Sequence, residues 1–205
     1  ACNTASATAV PVLRKEYDLP IHGVMEPGAL AAVRSSKNRR IGIIGTVSTI
    51  RASMYVKAIK ALDDEAIAIG KPCPLFVPLV EEGMEDHLVT EIIAREYIDP
   101  MLERGIDTLI LGCTHYPLLA ETLREILPKE ITLIDSGVAT ADGLEGILEV
   151  ADGRTPEYTY YVSDTPEKFI ELGARFLGHP MERVFYFDVD RSWTTDDISD
   201  APRIA

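Results

Sequence analysis

The chain has 205 residues, 46% of them apolar, enough to bury a sizeable core as one domain or two small lobes. A formal charge of −13, from 33 acidic against 20 basic residues, argues against a polyanionic partner such as nucleic acid held on a broad basic face. No apolar run reaches the length that spans a bilayer, no basic-then-apolar signal segment opens the sequence, and three cysteines without scaffold spacing predict reduced thiols in a cytoplasmic compartment.

In chain order, Cys2-Asn3-Thr4 is followed by a helical pattern from Ala5 to Tyr17, in which Pro11 either kinks the helix or marks its true first turn. Pro20 to Met25 reads as a short strand closed by a Glu26-Pro27-Gly28 turn, where a lobe boundary is expected, and Gly28 to Ser35 as a short Ala-rich helix. Arg40 to Thr46 is a strand ending at Gly45. Val47 to Leu62 has helical spacing, with Tyr55, Ile59 and Leu62 on one side. Thr46 and Thr49 fall at this strand-helix junction, where a hydroxyl is either a cap or a ligand. Cys73 sits among prolines and apolar residues and reads as structural, before Glu81-Glu82-Gly83 and a helix from about Asp86 to Arg104.

The stretch Thr108 to Leu119, T-L-I-L-G-C-T-H-Y-P-L-L, is the densest signal. A buried strand runs into a Gly112-Cys113-Thr114-His115 turn, and Pro117 suits the first turn of a helix because it has no N–H to leave unpaired there. A thiol at a strand's carboxyl end beside a helix start lies where open α/β sheets bind ligands, and partial positive charge there should draw its pKa from roughly 8.5 toward neutrality. The competing reading is a buried Cys packed as a small hydrophobe. Cys-Asn-Thr at 2–4 and Cys-Thr-His at 113–115 look like two versions of one device: one thiolate base and one thiol acid on opposite sides of a carbon acid would invert a stereocentre.

Farther on, Ile131 to Asp135 is a strand ending in Ser136-Gly137 and Val138 to Val150 is helical. Tyr158 to Val162 is a strand, Pro166 to Leu177 a helix and Val184 to Asp188 a last strand, with the remaining polar tail expected to be unstructured. Alternating strands and helices predict an α/β fold with mostly parallel sheets in two lobes. Gly42-Ile43-Ile44-Gly45 lacks the third glycine and the acidic partner of a dinucleotide fingerprint; no cofactor or metal motif appears.

The motifs A-C-N-T-A-S-A at 1–7, G-V-M-E-P-G at 23–28, G-T-x-x-T-x-x-x-S-x-Y at 45–55, C-P-L-F-V-P-L-V-E-E-G at 73–83, L-G-C-T-H-Y-P-L-L at 111–119 and I-D-S-G at 134–137 run in the order found in the glutamate racemases, which the chain resembles. The resemblance implies two pseudo-symmetric lobes, 1–26 with 136–205 and 27–135, with the active site in the cleft between them. It implies Cys2 and Cys113 as the two bases, acting on the D- and L-enantiomer respectively, with His115 assisting Cys113. Asn3, Thr4, Thr46, Thr49 and Thr114 are implied to bind substrate, with Glu81 close by. No cofactor is implied, and a homodimer is common in the family. The family carries an Asp-Ser-Gly turn and a Tyr-Gly turn ahead of Cys-Asn-Thr, so the sequence reads as a racemase lacking its first strand-helix-strand portion. D-Glutamate for peptidoglycan is the implied product. The alternatives are an aspartate racemase or malonate-type decarboxylase, disfavoured by His115 and by the second cysteine, and a non-catalytic binding or regulatory chain.

Overall fold

The computed structural model describes residues 2–145, 147 and 157–190 and the backbone of Arg203 and Ile204. They fall into two compact units, 1–149 and 150–205. The first is built on four parallel strands, β1 (Arg40–Gly45), β2 (Ile67–Pro72), β3 (Thr108–Gly112) and β4 (Thr132–Asp135), in the order β2-β1-β3-β4. Ahead of the sheet come α1 (Asn3–Thr8), α2 (Val10–Glu16) and α3 (Met25–Ser35). Between the strands lie α4 (Val47–Ala52) and α5 (Met54–Leu62), then α6 (Phe76–Glu81) and α7 (Leu88–Leu102), then a 3₁₀ turn at Tyr116–Leu119 and α8 (Ala120–Ile126). The last helix of this unit, α9 (Ser136–Leu144), follows β4.

Period-two alternation sends neighbouring residues of one strand into different cores. Leu109 and Leu111 pack with Phe76, Ile98, Tyr116 and Leu123 on one face, whereas Ile110 packs with Ile41, Ile43, Tyr55 and Ile59 on the other. Every residue of β3 is buried, as expected of a parallel strand covered on both faces.

Several local expectations are corrected. No strand forms at Pro20–Met25; Met25 opens α3, and Glu26-Pro27-Gly28 is its first turn, where Pro27 costs no hydrogen bond. The helix expected from Val47 to Leu62 is two helices, because Ser53 takes a left-handed conformation (φ 54°) between them. The Ala5–Tyr17 helix likewise divides at Ala9, and Pro11 lies in the first turn of α2. Strand β2 had no counterpart in the sequence reading: it is an edge strand, only Ile69 of its six residues is buried, and Gly70 and Pro72 weaken its pattern. The helix expected to reach Val150 is described as far as Leu144; residues 146 and 148–150 lie outside the described residues.

In the second unit, β5 (Tyr160–Val162) and β6 (Val184–Tyr186) pair in parallel, and α10 (Pro166–Leu177) connects them. Pro166 sits in the first turn of α10, and Gly178 caps it at φ 72°. Strand β6 stops at Tyr186, short of the expected Asp188. The tail expected to be unstructured contributes β7 (Arg203–Ile204), antiparallel to β6; the rest of it, 191–202 and 205, lies outside the described residues.

Candidate active site

Strand order decides where a ligand goes. From β1 the chain steps to β2 on one side, then crosses β1 to enter β3 on the other, so the sheet's topological switch lies between the carboxyl ends of β1 and β3. Open parallel sheets bind ligands in that crevice. Gly45 and Gly112 are register partners there, and the residues that follow them are Thr46 and Cys113.

On the β1 side, Thr46 caps α4, its Oγ1 accepting from the Thr49 N–H at 3.2 Å. The Thr46 and Thr49 hydroxyls are 3.0 Å apart, and the Thr4 hydroxyl lies 2.9 Å from the first and 3.1 Å from the second. Three hydroxyls in mutual contact can rotate their protons toward an incoming carboxylate or away from one another. Through Thr4, residues far apart in sequence converge on one point.

Cys2 is the N-cap of α1 and is exposed. Asn3, next to it, is 1% exposed, and both ends of its amide are engaged: Tyr55 donates its hydroxyl proton to Oδ1 at 2.6 Å, and Nδ2 donates to the Ser136 Oγ at 3.2 Å. Ser136 in turn donates to the Leu111 carbonyl at 3.2 Å, one residue before Gly112. The Cys2 turn is thereby tied to the strand that presents Cys113.

Beyond β3, Cys113 Sγ lies 3.9 Å from His115 Nδ1, and His115 Nε2 lies 3.3 Å from Glu81 Oε1 at the end of α6. Thr114 Oγ1 is 3.5 Å from the same Nδ1. Burial pushes the Cys113 thiol above its ordinary value, against the backbone N–H of His115; the charge of Cys2 raises it further, and the Thr114 hydroxyl and N–H oppose the rise. The expected pull toward neutrality is therefore reversed at Cys113, because desolvation outweighs the donors of a turn that leads into 3₁₀ rather than α-helix. Cys73 is fully buried and likewise raised, to about 12, with its carbonyl accepting from the Tyr116 hydroxyl at 3.0 Å.

All the candidates drawn from the sequence thus lie near the carboxyl edge of one sheet, in a Thr4-Thr46-Thr49 group, a Cys113-Thr114-His115-Glu81 group, and Cys2 with Asn3 joined to Ser136. Among the described residues no group of three His, Cys, Asp or Glu side chains is arranged to hold a metal, and no helix is long and apolar enough to cross a membrane.

Residues 1–144 match the family model of Asp/Glu/hydantoin racemases. The chain belongs to that family. It is 43% identical over 195 residues to the glutamate racemase of Geobacter metallireducens, covering 93% of this chain and 72% of that one. To the glutamate racemase of Persephonella marina it is 52% identical over 178 residues, 87% of this chain and 68% of that one. The solved glutamate racemase RacE1 of Bacillus anthracis superposes with a TM-score of 0.87 at 35% identity, over 93% of this chain and 73% of that one. A second racemase of known structure, from Francisella tularensis in complex with D-glutamate, gives 0.84 at 31% identity, over 92% and 72%.

Two residues that the structure ties to the candidate site, Tyr55 and Ser136, had no role in the sequence reading. Tyr55 was noted only for helical spacing, and Ser136 only as part of a strand-end turn. Their signal was present in the motifs S-x-Y and I-D-S-G, but nothing local shows that both aim at Asn3.

Proposed function

We propose that the chain is a glutamate racemase that works by two-base proton transfer between Cys2 and Cys113. The observation that carries this is the meeting of two thiol-bearing turns over one strand end, joined through Asn3, Ser136 and the Leu111 carbonyl. One thiolate removes the Cα proton of glutamate, and the electron pair is held as a carbanion conjugated with the α-carboxylate. The other thiol delivers its proton to the opposite face, which inverts the centre and exchanges the protonation states of the two cysteines. With Cys113 raised by burial, His115 at its sulfur is the group that takes and returns the Cys113 proton, and Glu81 orients the imidazole. The hydroxyls of Thr4, Thr46, Thr49 and Thr114 bind the carboxylates and ammonium, and Asn3, buried and bonded at both ends of its amide, holds the turn that carries Thr4. Preformed donors of this kind stabilise the carbanion where water would have to reorganise. Cys2 serves the D-enantiomer and Cys113 the L-enantiomer, and the enzyme acts as a cytoplasmic homodimer supplying D-glutamate for peptidoglycan. The relatives named glutamate racemase support the substrate.

Proton NMR of the chain in D₂O with L-glutamate and, separately, D-glutamate tests the reading. Exchange of the Cα proton with inversion from both enantiomers is expected; a folded sample that exchanges neither overturns it. Cys2→Ala and Cys113→Ala are each expected to abolish inversion with circular dichroism unchanged, since Cys2 is exposed and Cys113 is a small side chain at the end of β3. Either variant racemising at the unmutated rate would end the two-base assignment.

A further inference from the structure

Tyr55 touches both thiol-bearing turns. Its hydroxyl donates to Asn3 Oδ1 at 2.6 Å, one residue after Cys2. Its ring lies against Gly112, one residue before Cys113: a Cβ built on Gly112 would stand 3.3 Å from Tyr55 Cε2 and 2.6 Å from the Ile44 carbonyl oxygen, so only glycine admits both the ring and the neighbouring strand. Gly28 of α3 makes the matching clearance at the other end, since a Cβ there would meet Ser136 Cβ at 3.2 Å and the Tyr55 hydroxyl at 3.3 Å.

The polar atoms stand out because of where they are. Tyr55 is 2% exposed and its ring belongs to the apolar cluster of Ile41, Ile43, Ile59 and Ile110, where phenylalanine would fill the same volume without a hydroxyl to satisfy. Instead the hydroxyl starts a closed chain, Tyr55 to Asn3 to Ser136 to the Leu111 carbonyl, with no buried side-chain nitrogen or oxygen left unpaired among the described residues. A fully satisfied network in a dry environment fixes one arrangement of the parts it joins.

We propose that Tyr55 is a positioning residue which, through Asn3 and Ser136, holds the Cys2 turn at a set distance from the Cys113 turn and so fixes the separation of the two thiols. The assignment rests on the racemase reading for its consequence in catalysis, but not for the tie itself. Losing the hydroxyl leaves the Cys113 turn on its strand and loosens the Cys2 turn, which keeps Asn3 on Ser136 and Thr4 on Thr46 and Thr49, so the damage is one-sided: proton transfer at Cys2 becomes slower than transfer at Cys113.

Tyr55→Phe is the test, read in two ways. Hydrogen exchange needs no activity: amides of residues 3–8 are expected to exchange roughly tenfold faster, the consequence of one lost buried hydrogen bond, while β1 keeps its protection. Unchanged protection at 3–8 overturns the proposal. In catalysis, kcat/KM is expected to fall roughly tenfold. The primary isotope effect should rise with D-[2-²H]glutamate, whose deuteron goes to Cys2, and fall with the L-enantiomer, because the Cys2 step has become more rate-determining. A uniform loss that leaves the two isotope effects in their unmutated ratio overturns the positioning role. Ser136→Ala cuts the same chain at its other end and is expected to reproduce both changes, which keeps the test decisive if Tyr55→Phe does not fold. If exchange at 3–8 quickens in a chain that does not racemise glutamate, the tie stands and the racemase reading falls.

Discussion

Cys73 and Cys113 are both buried thiols, and their surroundings make them different groups. Cys113 has His115 at 3.9 Å and, behind it, Glu81 at 3.3 Å from the far ring nitrogen. Replacing Glu81 with Gln removes a charge-assisted hydrogen bond of about 1.5–3 kcal/mol, so kcat should fall roughly ten- to a hundredfold with KM little changed; steady-state kinetics in both directions checks it. Cys73 has no such company, and burial moves its thiol from 9.0 to about 12. In the unfolded chain this thiol ionises at its ordinary value while the folded chain keeps it neutral, so the stability it contributes is intact below the unfolded value and is lost as pH rises toward the folded one. The slope is about 1.4 kcal/mol per pH unit. Urea denaturation of the unmutated chain and Cys73→Ala, below the unfolded pKa and one pH unit above it, should show the steeper loss only where Cys73 is present.

Strand β3 carries the candidate site, and its burial is what makes the site rigid. Ile110 is fully buried and is the apolar β3 side chain in the cluster that contains Tyr55, so Ile110→Ala should cost about 2–5 kcal/mol. Because the cavity opens on the Tyr55 side of the sheet, racemisation should decline as well; a thermal melt together with a rate at a temperature where the variant is folded separates the two effects. At this scale the sequence was a good guide where signals were local and strong. The apolar run before Gly112 read correctly as β3, and the helix expected from Pro166 to Leu177 is α10 with those bounds. It was a poor guide at Pro20–Met25, where Ile21, Val24 and Met25 have no partner strand and Met25 is instead buried by the helix it begins. Edge strand β2 was missed because exposure on its open side removes the apolar alternation that identifies a strand.

Across the whole molecule, a formal charge of −13 works against the anionic substrate of the proposed reaction, and the groups proposed to bind it, the hydroxyls of Thr4, Thr46 and Thr49, are uncharged. Salt weakens that repulsion. The KM for glutamate should therefore fall as ionic strength is raised through about 0.1 M, where the Debye length is about 10 Å, with kcat nearly constant; a KM that rises with salt would mean that an attractive charge at the site dominates.

Much of the candidate site's make-up was readable from residue order alone. The residue types, the two Cys turns and the alternation of strand and helix are local properties, and local properties survive in a sequence. What only the tertiary structure decided depends on atoms far apart in the chain: the β2-β1-β3-β4 order that puts the switch point beside Cys113, the burial that raises its thiol against the turn's donors, and the contact between Asn3 and Ser136 across 133 positions. Desolvation and strand pairing are set by what packs on a residue from elsewhere, and no spacing within one segment records that.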